Sequence, residues 1–261
     1  MKRDTGVKKE SMNRKSMDLG PLLRKVEKHK RPAFKPVVKD GDGPLQASKF
    51  SGAAWLSEKE EWPVCPSCNR PMQLFIQLDL ESIPAEIKGE FGQGILQLFY
   101  CTGMEPQCEV DATGWEPYSK CSLARVVKPA GKARAPMLPD LEDRFPAKSI
   151  VGWEMSDDFP GLEEYELLGI KTDDTKLEEI IERIKTDTWK GPGIGDKLGG
   201  YPFWVQGIEY PECRKCGKKM RLLFQLDSED NLPYMYGDSG VAHITQCPVH
   251  KDVVAFGWAC Y

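Results

Sequence analysis

Residues 196–258 read DKLGGYPFWVQGIEYPECRKCGKKMRLLFQLDSEDNLPYMYGDSGVAHITQCPVHKDVVAFGW, and two short pairs within them decide how the chain is read. Cys213 and Cys216 form a Cys-x-x-Cys pair; Cys247 and His250 form a Cys-x-x-His pair some thirty residues later. Each pair offers two ligands from one tight turn, and together they make the four-donor set that a structural zinc ion takes tetrahedrally. Gly217 just after the first pair and Pro248 inside the second suit such turns.

An earlier stretch repeats this one. A shift of 148 carries Cys65 and Cys68 onto Cys213 and Cys216, and Ser48-Lys49-Phe50-Ser51-Gly52 onto Asp196-Lys197-Leu198-Gly199-Gly200. The same shift carries Trp62-Pro63 onto Tyr210-Pro211, Met72 onto Met220, and Gln77-Leu78-Asp79 onto Gln225-Leu226-Asp227. With small gaps, Cys101 meets Cys247, Cys108 meets His250, and Gly114-Trp115 meets Gly257-Trp258. So many unlike residue types in step mark an internal duplication. A second ligand set follows: Cys65, Cys68, Cys101 and Cys108, with Cys121 as a substitute for Cys108 that the alignment disfavours. One or two structural zinc ions are therefore expected, and Cys121 and Cys260 are left as plain thiols.

Length and composition bound the rest. A chain of 261 residues with 40% hydrophobic content can bury one large core or two medium ones. No apolar run approaches a membrane span, and the N-terminus lacks the apolar core of a secretory signal, so a cytoplasmic protein with no membrane partner is expected. Nine cysteines without an export signal point to reduced thiols or metal ligands rather than a disulfide framework. The net charge of −4 argues against a generic nucleic-acid binder, but residues 1–40 carry 13 Lys or Arg against 5 Asp or Glu. That basic arm fits an acidic partner or nucleic acid, or a solvated tail folded on its own acidic body.

The pattern divides the chain into a basic arm with a short helix at 1–35, a first repeat at 36–128, a Pro-rich linker at 129–146, and a helix with the second repeat at 147–261. Residues 1–17 are polar, charged and without periodicity, and are expected to be disordered. Asp18 is expected to cap a helix through Leu19, Leu22, Leu23 and Val26 that Pro32 ends. Met72–Asp79 and Met220–Asp227 alternate imperfectly, as strands buried on both faces do, while 94–101 and 240–247 read as strands that deliver Cys101 and Cys247. A second helix, capped by Asp174 or Thr175, carries Leu177, Ile180, Ile181 and Ile184 on one face and ends near Trp189. His243 reads as a half-exposed strand residue rather than a ligand. The expected fold is mainly β with a minor α+β component: a duplicated β-module scaffold with zinc-knuckle-type Cys/His turns and a few short helices.

No nucleophile elbow, P-loop or dinucleotide fingerprint occurs. The repeated Gln77-x-Asp79 and Gln225-x-Asp227 are read as groups that satisfy backbone beside a buried strand; their carboxylates as acid or base are the alternative. Arg214, Lys215, Lys218, Lys219 and Arg221 cluster around the second knuckle, but the first knuckle has only Arg70 close by.

The segments DKLGGYPFWVQ (196–206), YPECRKCGKKMRLLFQLD (210–227) and GDSGVAHITQCPVHKDVVAFGW (237–258) resemble the bacterial YwqG-like family, a domain of unknown function. SKFSGAAWL (48–56), EWPVCPSCNRPMQLFIQLDL (61–80) and GILQLFYC (94–101) look like its opening segment, although Ser51 and Ala53-Ala54 stand where the second copy has Gly199 and Tyr201-Pro202. More distantly, the paired glycine-rich and Cys-x-x-Cys pattern is similar to the programmed-cell-death-two-like proteins, dedicated chaperones of a ribosomal protein. The resemblance implies a mainly β scaffold that binds another protein, as an immunity factor against a toxin or as a chaperone of a client, and supplies no catalytic residues. A non-catalytic, zinc-stabilised protein-binding protein is therefore expected; a nucleic-acid-associated zinc protein and an enzyme using Asp79 or Asp227 are the alternatives.

Overall fold

The computed structural model describes residues 18–103, 108, 114–141, 143–186 and 189–261. The segment expected to be disordered, residues 1–17, lies outside the described residues. Ten strands occur among them: β1 (Arg31–Asp40), β2 (Lys49–Phe50), β3 (Gln73–Asp79), β4 (Ile95–Tyr100), β5 (Ser122–Val127), β6 (Lys148–Asp158), β7 (Lys197–Gly199), β8 (Arg221–Asp227), β9 (Val241–Gln246) and β10 (Val254–Ala259). They form one antiparallel sheet in the order β10-β9-β8-β7-β1-β6-β2-β3-β4-β5. The sheet curls until β5 and β10 face each other, a nearly closed barrel. The mainly β expectation holds, with two short helices beside the sheet: α1 (Gly20–Glu27) and α2 (Asp174–Lys185).

The offset that aligns the sequence segments also maps one ladder onto the other. Lys49 faces Gln77 across β2 and β3, and Lys197 faces Gln225 across β7 and β8. A register shift falls between Leu74 and Ile76 in one half and between Leu222 and Phe224 in the other. The leading strands cross over, however. β1, which precedes the first set of strands, pairs with β7 of the second; β6, which precedes the second set, pairs with β2 of the first. Each half is thus completed by a strand from the other, and β1 and β6 pair along their length at the centre.

The core follows from this exchange. Phe50 meets Phe224 edge-on at 6.1 Å, Phe75 meets Tyr234 at 5.0 Å, and Tyr100 meets Phe256 at 5.3 Å. Each is a contact between halves, and full burial of one such side chain is worth about 1.5–3 kcal/mol. β3 is buried at six of its seven positions, which accounts for its imperfect alternation. Its outward Gln77 is covered by loops and bonded to them, while Leu74, Ile76 and Leu78 are fully buried. β1 contains Pro32 and Pro36 and still lies mid-sheet; β7 reaches only Ala33 and Phe34, so Pro36 meets no β7 neighbour that needs an N–H donor.

A second apolar cluster joins Leu19, Leu22 and Val26 of the α1 region to Phe159, Tyr165, Ile170, Ile180 and Trp189. Several local expectations shift here. Asp18 is not the cap of α1: Leu19 holds that position, and Asp18 accepts from the Gly20 N–H at 2.9 Å because Pro21 already opens the helix. α1 ends at Glu27, before Pro32, which starts strand rather than stopping helix. Asp173, one residue before the expected cap, accepts from the Lys176 N–H at 2.9 Å, and α2 ends at Lys185 rather than Trp189. Of its expected apolar face only Ile180 is fully buried; Ile181 and Ile184 are exposed, since a single stripe meets the cluster. The stretch 129–146 runs along the first half: the Arg134 N–H donates to the Leu56 carbonyl, and Phe145 is buried against Phe75 at 5.4 Å.

Candidate metal centres

Both Cys-x-x-Cys segments fold as the same knuckle. The Cys65 N–H donates to the Arg70 carbonyl at 2.8 Å, and Asn69 donates back to Cys65 at 2.7 Å; Cys213, Lys218 and Gly217 repeat the pattern at 2.9 and 2.8 Å. Closing so tight a turn needs one residue at positive φ. Asn69 (56°) and Gly217 (68°) hold it, two residue types that visit this region at low cost. The remaining donors arrive from the end of a buried strand: β4 delivers Cys101 and β9 delivers Cys247.

The knuckles and strand ends bring two groups of four side chains together. Cys65, Cys68, Cys101 and Cys108 form one group and Cys213, Cys216, Cys247 and His250 the other, with all ligand atoms of a group within 4.8 Å of one another. Sγ–Sγ separations are 3.6 Å for Cys65–Cys108, 3.6 Å for Cys68–Cys101 and 3.7 Å for Cys216–Cys247. His250 Nδ1 lies 3.7 Å from Cys213 Sγ and 3.8 Å from Cys247 Sγ. A tetrahedron with metal–sulfur bonds of about 2.3 Å has edges of about 3.8 Å, whereas a disulfide needs about 2.05 Å. The donor sets fit an ion of that size and are not cystines; all nine cysteines are free.

Electrostatics points the same way. In the first group burial opposes ionisation of Cys68, but the Arg70 guanidinium, 3.4 Å away, brings its thiol down to about 6. Burial together with neighbouring sulfurs pushes Cys101 well up and Cys108 to about 12. In the second group burial again opposes, yet the His250 and Val249 N–H groups, at 3.2 and 3.4 Å, bring Cys247 down to about 6, and Cys216 is raised. Four sulfurs in the first group, or three beside His250 in the second, cannot all be thiolates this close unless a cation sits among them. Each cluster is therefore a site that can hold a metal ion, with backbone and arginine N–H groups arranged to support thiolate charge.

The other candidates fall elsewhere. Cys121 lies beside Ser67 at 3.8 Å, outside the first group, and Cys260 belongs to neither. His243 is buried, not half-exposed: its ring meets that of Trp204 at 4.7 Å with the planes tilted by 59°, because Gln225 and Trp204 cover that face of β9. Gln77 Oε1 accepts from the Trp55 N–H at 2.8 Å while its Nε2 donates to the Leu45 and Ala47 carbonyls; Gln225 does the same for Phe203, Gly193 and Gly195. Asp79 accepts from Glu81 N–H and Ser82 Oγ, and Asp227 accepts from Gly195 N–H and Ser228 N–H. Around the second knuckle Arg214 stacks 3.7 Å over Tyr118, Lys215 pairs with Asp252, and Arg221 pairs with Glu90 at 3.1 Å.

Two buried ion pairs went unseen in the sequence. Lys49 Nζ lies 2.6 Å from Asp42, and Lys197 Nζ lies 2.8 Å from Asp158, with both lysine side chains almost wholly enclosed. Each carboxylate also accepts a backbone N–H at the 148-residue counterparts Ala53 and Tyr201. The repeated lysine was a signal; its partners lie at or just past the C-terminal ends of the exchanged strands β1 and β6, and so fall outside the 148-residue offset.

A nearly closed antiparallel barrel carrying two four-donor Cys/His sets is a β scaffold with two groups that could hold a metal ion. The chain belongs to the family described as domain of unknown function (DUF1963), whose model matches residues 48–246. Over 57 residues it is 39% identical to the uncharacterized protein YpfL of Salmonella typhimurium (strain LT2), a match spanning 22% of this chain and 13% of that protein. Among the described residues no helix is long and apolar enough to cross a membrane.

Proposed function

We propose that this is a non-catalytic protein-binding protein of the YwqG-like kind whose barrel is held by two structural zinc ions. The observation that carries it is the pair of closed donor sets, each with four ligand atoms inside 4.8 Å. Four protein ligands leave a tetrahedral zinc no position for water or substrate, which suits a structural role. Cysteine and histidine donors at these spacings select zinc over hard cations that prefer oxygen.

Protein binding is supported by the central strands. β6 pairs with β2 only through Lys148 and Ser149, and its Val151 and Met155 are each 61% exposed. An open backbone edge flanked by apolar side chains is what an added strand of a partner uses. Such a partner would be a toxin, if the protein acts in immunity, or a client, if it acts as a chaperone like the programmed-cell-death-two-like proteins. Nucleic-acid binding has less support, since Arg214, Lys215 and Arg221 are already engaged. Catalysis by Asp79 or Asp227 has less as well, since both bind adjacent turns.

The test is native co-purification from the source cell, comparing wild type with a Val151→Asp/Met155→Asp variant. A stoichiometric protein retained by the wild type and lost by the variant, at unchanged melting temperature and metal content, is expected. Retention of RNA or DNA that falls steeply with salt, or a partner indifferent to both substitutions, would overturn the proposal.

A further inference from the structure

Leu198 is the 148-residue counterpart of Phe50, and these two face Phe34 and Lys148 across their ladders. Phe34 and Lys148 are therefore counterparts, which sets Arg31-Pro32-Ala33 against Phe145-Pro146-Ala147. In the first half this segment closes the space beside β3. Gln73 donates its amide to the Asp143 carbonyl, and Phe145 is buried edge-on against Phe75.

In the second half Arg221 stands where Gln73 stood, and Tyr201 where Ala53 stood. Tyr201 donates its hydroxyl to the His29 carbonyl at 2.6 Å and carries the Arg31 guanidinium 4.1 Å above its ring, which holds the incoming segment aside. A cavity of about 280 Å³ remains between Arg31 and Arg221, walled by Pro32, Ile87, Phe91 and Leu222. Arg31 is exposed and pairs with no carboxylate among the described residues. Arg221 gives Nη1 to Glu90 Oε2 at 3.1 Å and Nη2 to the Glu90 carbonyl, while its Nε is buried without an acceptor. Two guanidinium groups, with the Lys251 ammonium close enough to feel Arg221 and Glu90, outnumber the one carboxylate of Glu90 and leave net positive charge beside the cavity. Planar guanidinium forks match a carboxylate, and the volume is at the small end of ligand pockets.

We propose that this cavity binds a monocarboxylate carried on a small apolar group, with the exposed Arg31 guanidinium as its donor and Arg221, held in place by Glu90, as a positive wall beside it. A free organic acid and the C-terminal residue of a peptide share that chemistry.

The purified full chain is titrated with 3-phenylpropionate, with 3-phenylpropanamide, and with a pentapeptide ending in phenylalanine as its free acid and as its amide. The readout is the NMR shift of the arginine Nε–H resonances. Both acids are expected to give a saturable shift, and both amides none. Arg31→Ala, at an exposed site, is expected to weaken binding about tenfold or more at unchanged melting temperature. Arg221→Gln, which copies Gln73 and frees the Glu90 carboxylate beside the cavity, is expected to weaken it further. Tighter binding of the peptide acid assigns a protein terminus as the source, and tighter binding of 3-phenylpropionate a free acid. No saturable shift with either acid, equal binding of the amides, or displacement of 3-phenylpropionate by equimolar inorganic phosphate would overturn the proposal.

Discussion

Trp258 donates its indole N–H to the hydroxyl of Tyr100 at 3.0 Å, tying the last strand to the fourth across 158 residues. Tyr100 is fully buried among Phe75, Tyr234 and Phe256, so this bond crosses the shared core of the two halves. Because β1 and β6 are exchanged as well, neither half owns a complete set of strands.

Unfolding is therefore expected as one transition. Trp258→Phe removes a hydrogen bond worth about 1 kcal/mol and should lower the melting temperature by about 2–4 °C without splitting the transition. Calorimetry with matched circular dichroism checks this. Two separate transitions would mean that the halves fold independently.

Metal content should be two zinc ions per chain by elemental mass spectrometry. Cys213→Ser and Cys65→Ser should each lose one, while Cys121→Ser and Cys260→Ser, outside both groups, should lose none. Since a structural zinc site contributes roughly 10 kcal/mol or more of apparent binding energy, prolonged chelation should lower the melting temperature sharply. A chelated protein with an unchanged melting point would remove the structural role.

Breaking the Lys197–Asp158 pair should be costly. Burial pulls the Lys197 ammonium below its usual range, and the facing Asp158 opposes that. Lys197→Met leaves a buried carboxylate without its cation and should cost about 3–5 kcal/mol. Lys49→Met should cost less, because Asp42 is one-third exposed and water can take over. Urea denaturation of both variants ranks the losses; equal losses would contradict the burial difference.

Asp196 makes stability depend on pH. Burial, and then repulsion from Asp230, raise its carboxyl from 3.8 to about 7. A group whose pKa is higher in the folded state favours folding while protonated, so its contribution is complete below about pH 4 and lost as pH rises through about 7. The span is on the order of 4 kcal/mol. Asp196→Ser, which copies its counterpart Ser48, should flatten the stability profile between those values. Denaturation at a series of pH values checks it; identical profiles would show that Asp196 does not titrate in this window.

Much of the candidate site was legible beforehand because it is local. A Cys-x-x-Cys pair folds within its own turn, and the strands that deliver Cys101 and Cys247 carry continuous apolar residues. Caps and helix ends slipped by one to five residues, since neighbouring signals such as Asp173 and Asp174 compete on equal terms. His243 was misplaced because its burial comes from Trp204, distant in sequence.

By itself the sequence determined the mainly β character, the make-up of the two Cys/His groups and the offset of 148 that the two ladders share, all properties of short segments and their spacing. Only the tertiary structure decided that β1 and β6 change places, that Asp42 and Asp158 neutralise the repeated lysines, and that one half keeps a cavity the other fills with Phe145. These depend on which distant segments meet. Strand pairing follows the free energy of the whole buried core, and no single stretch of chain carries that quantity.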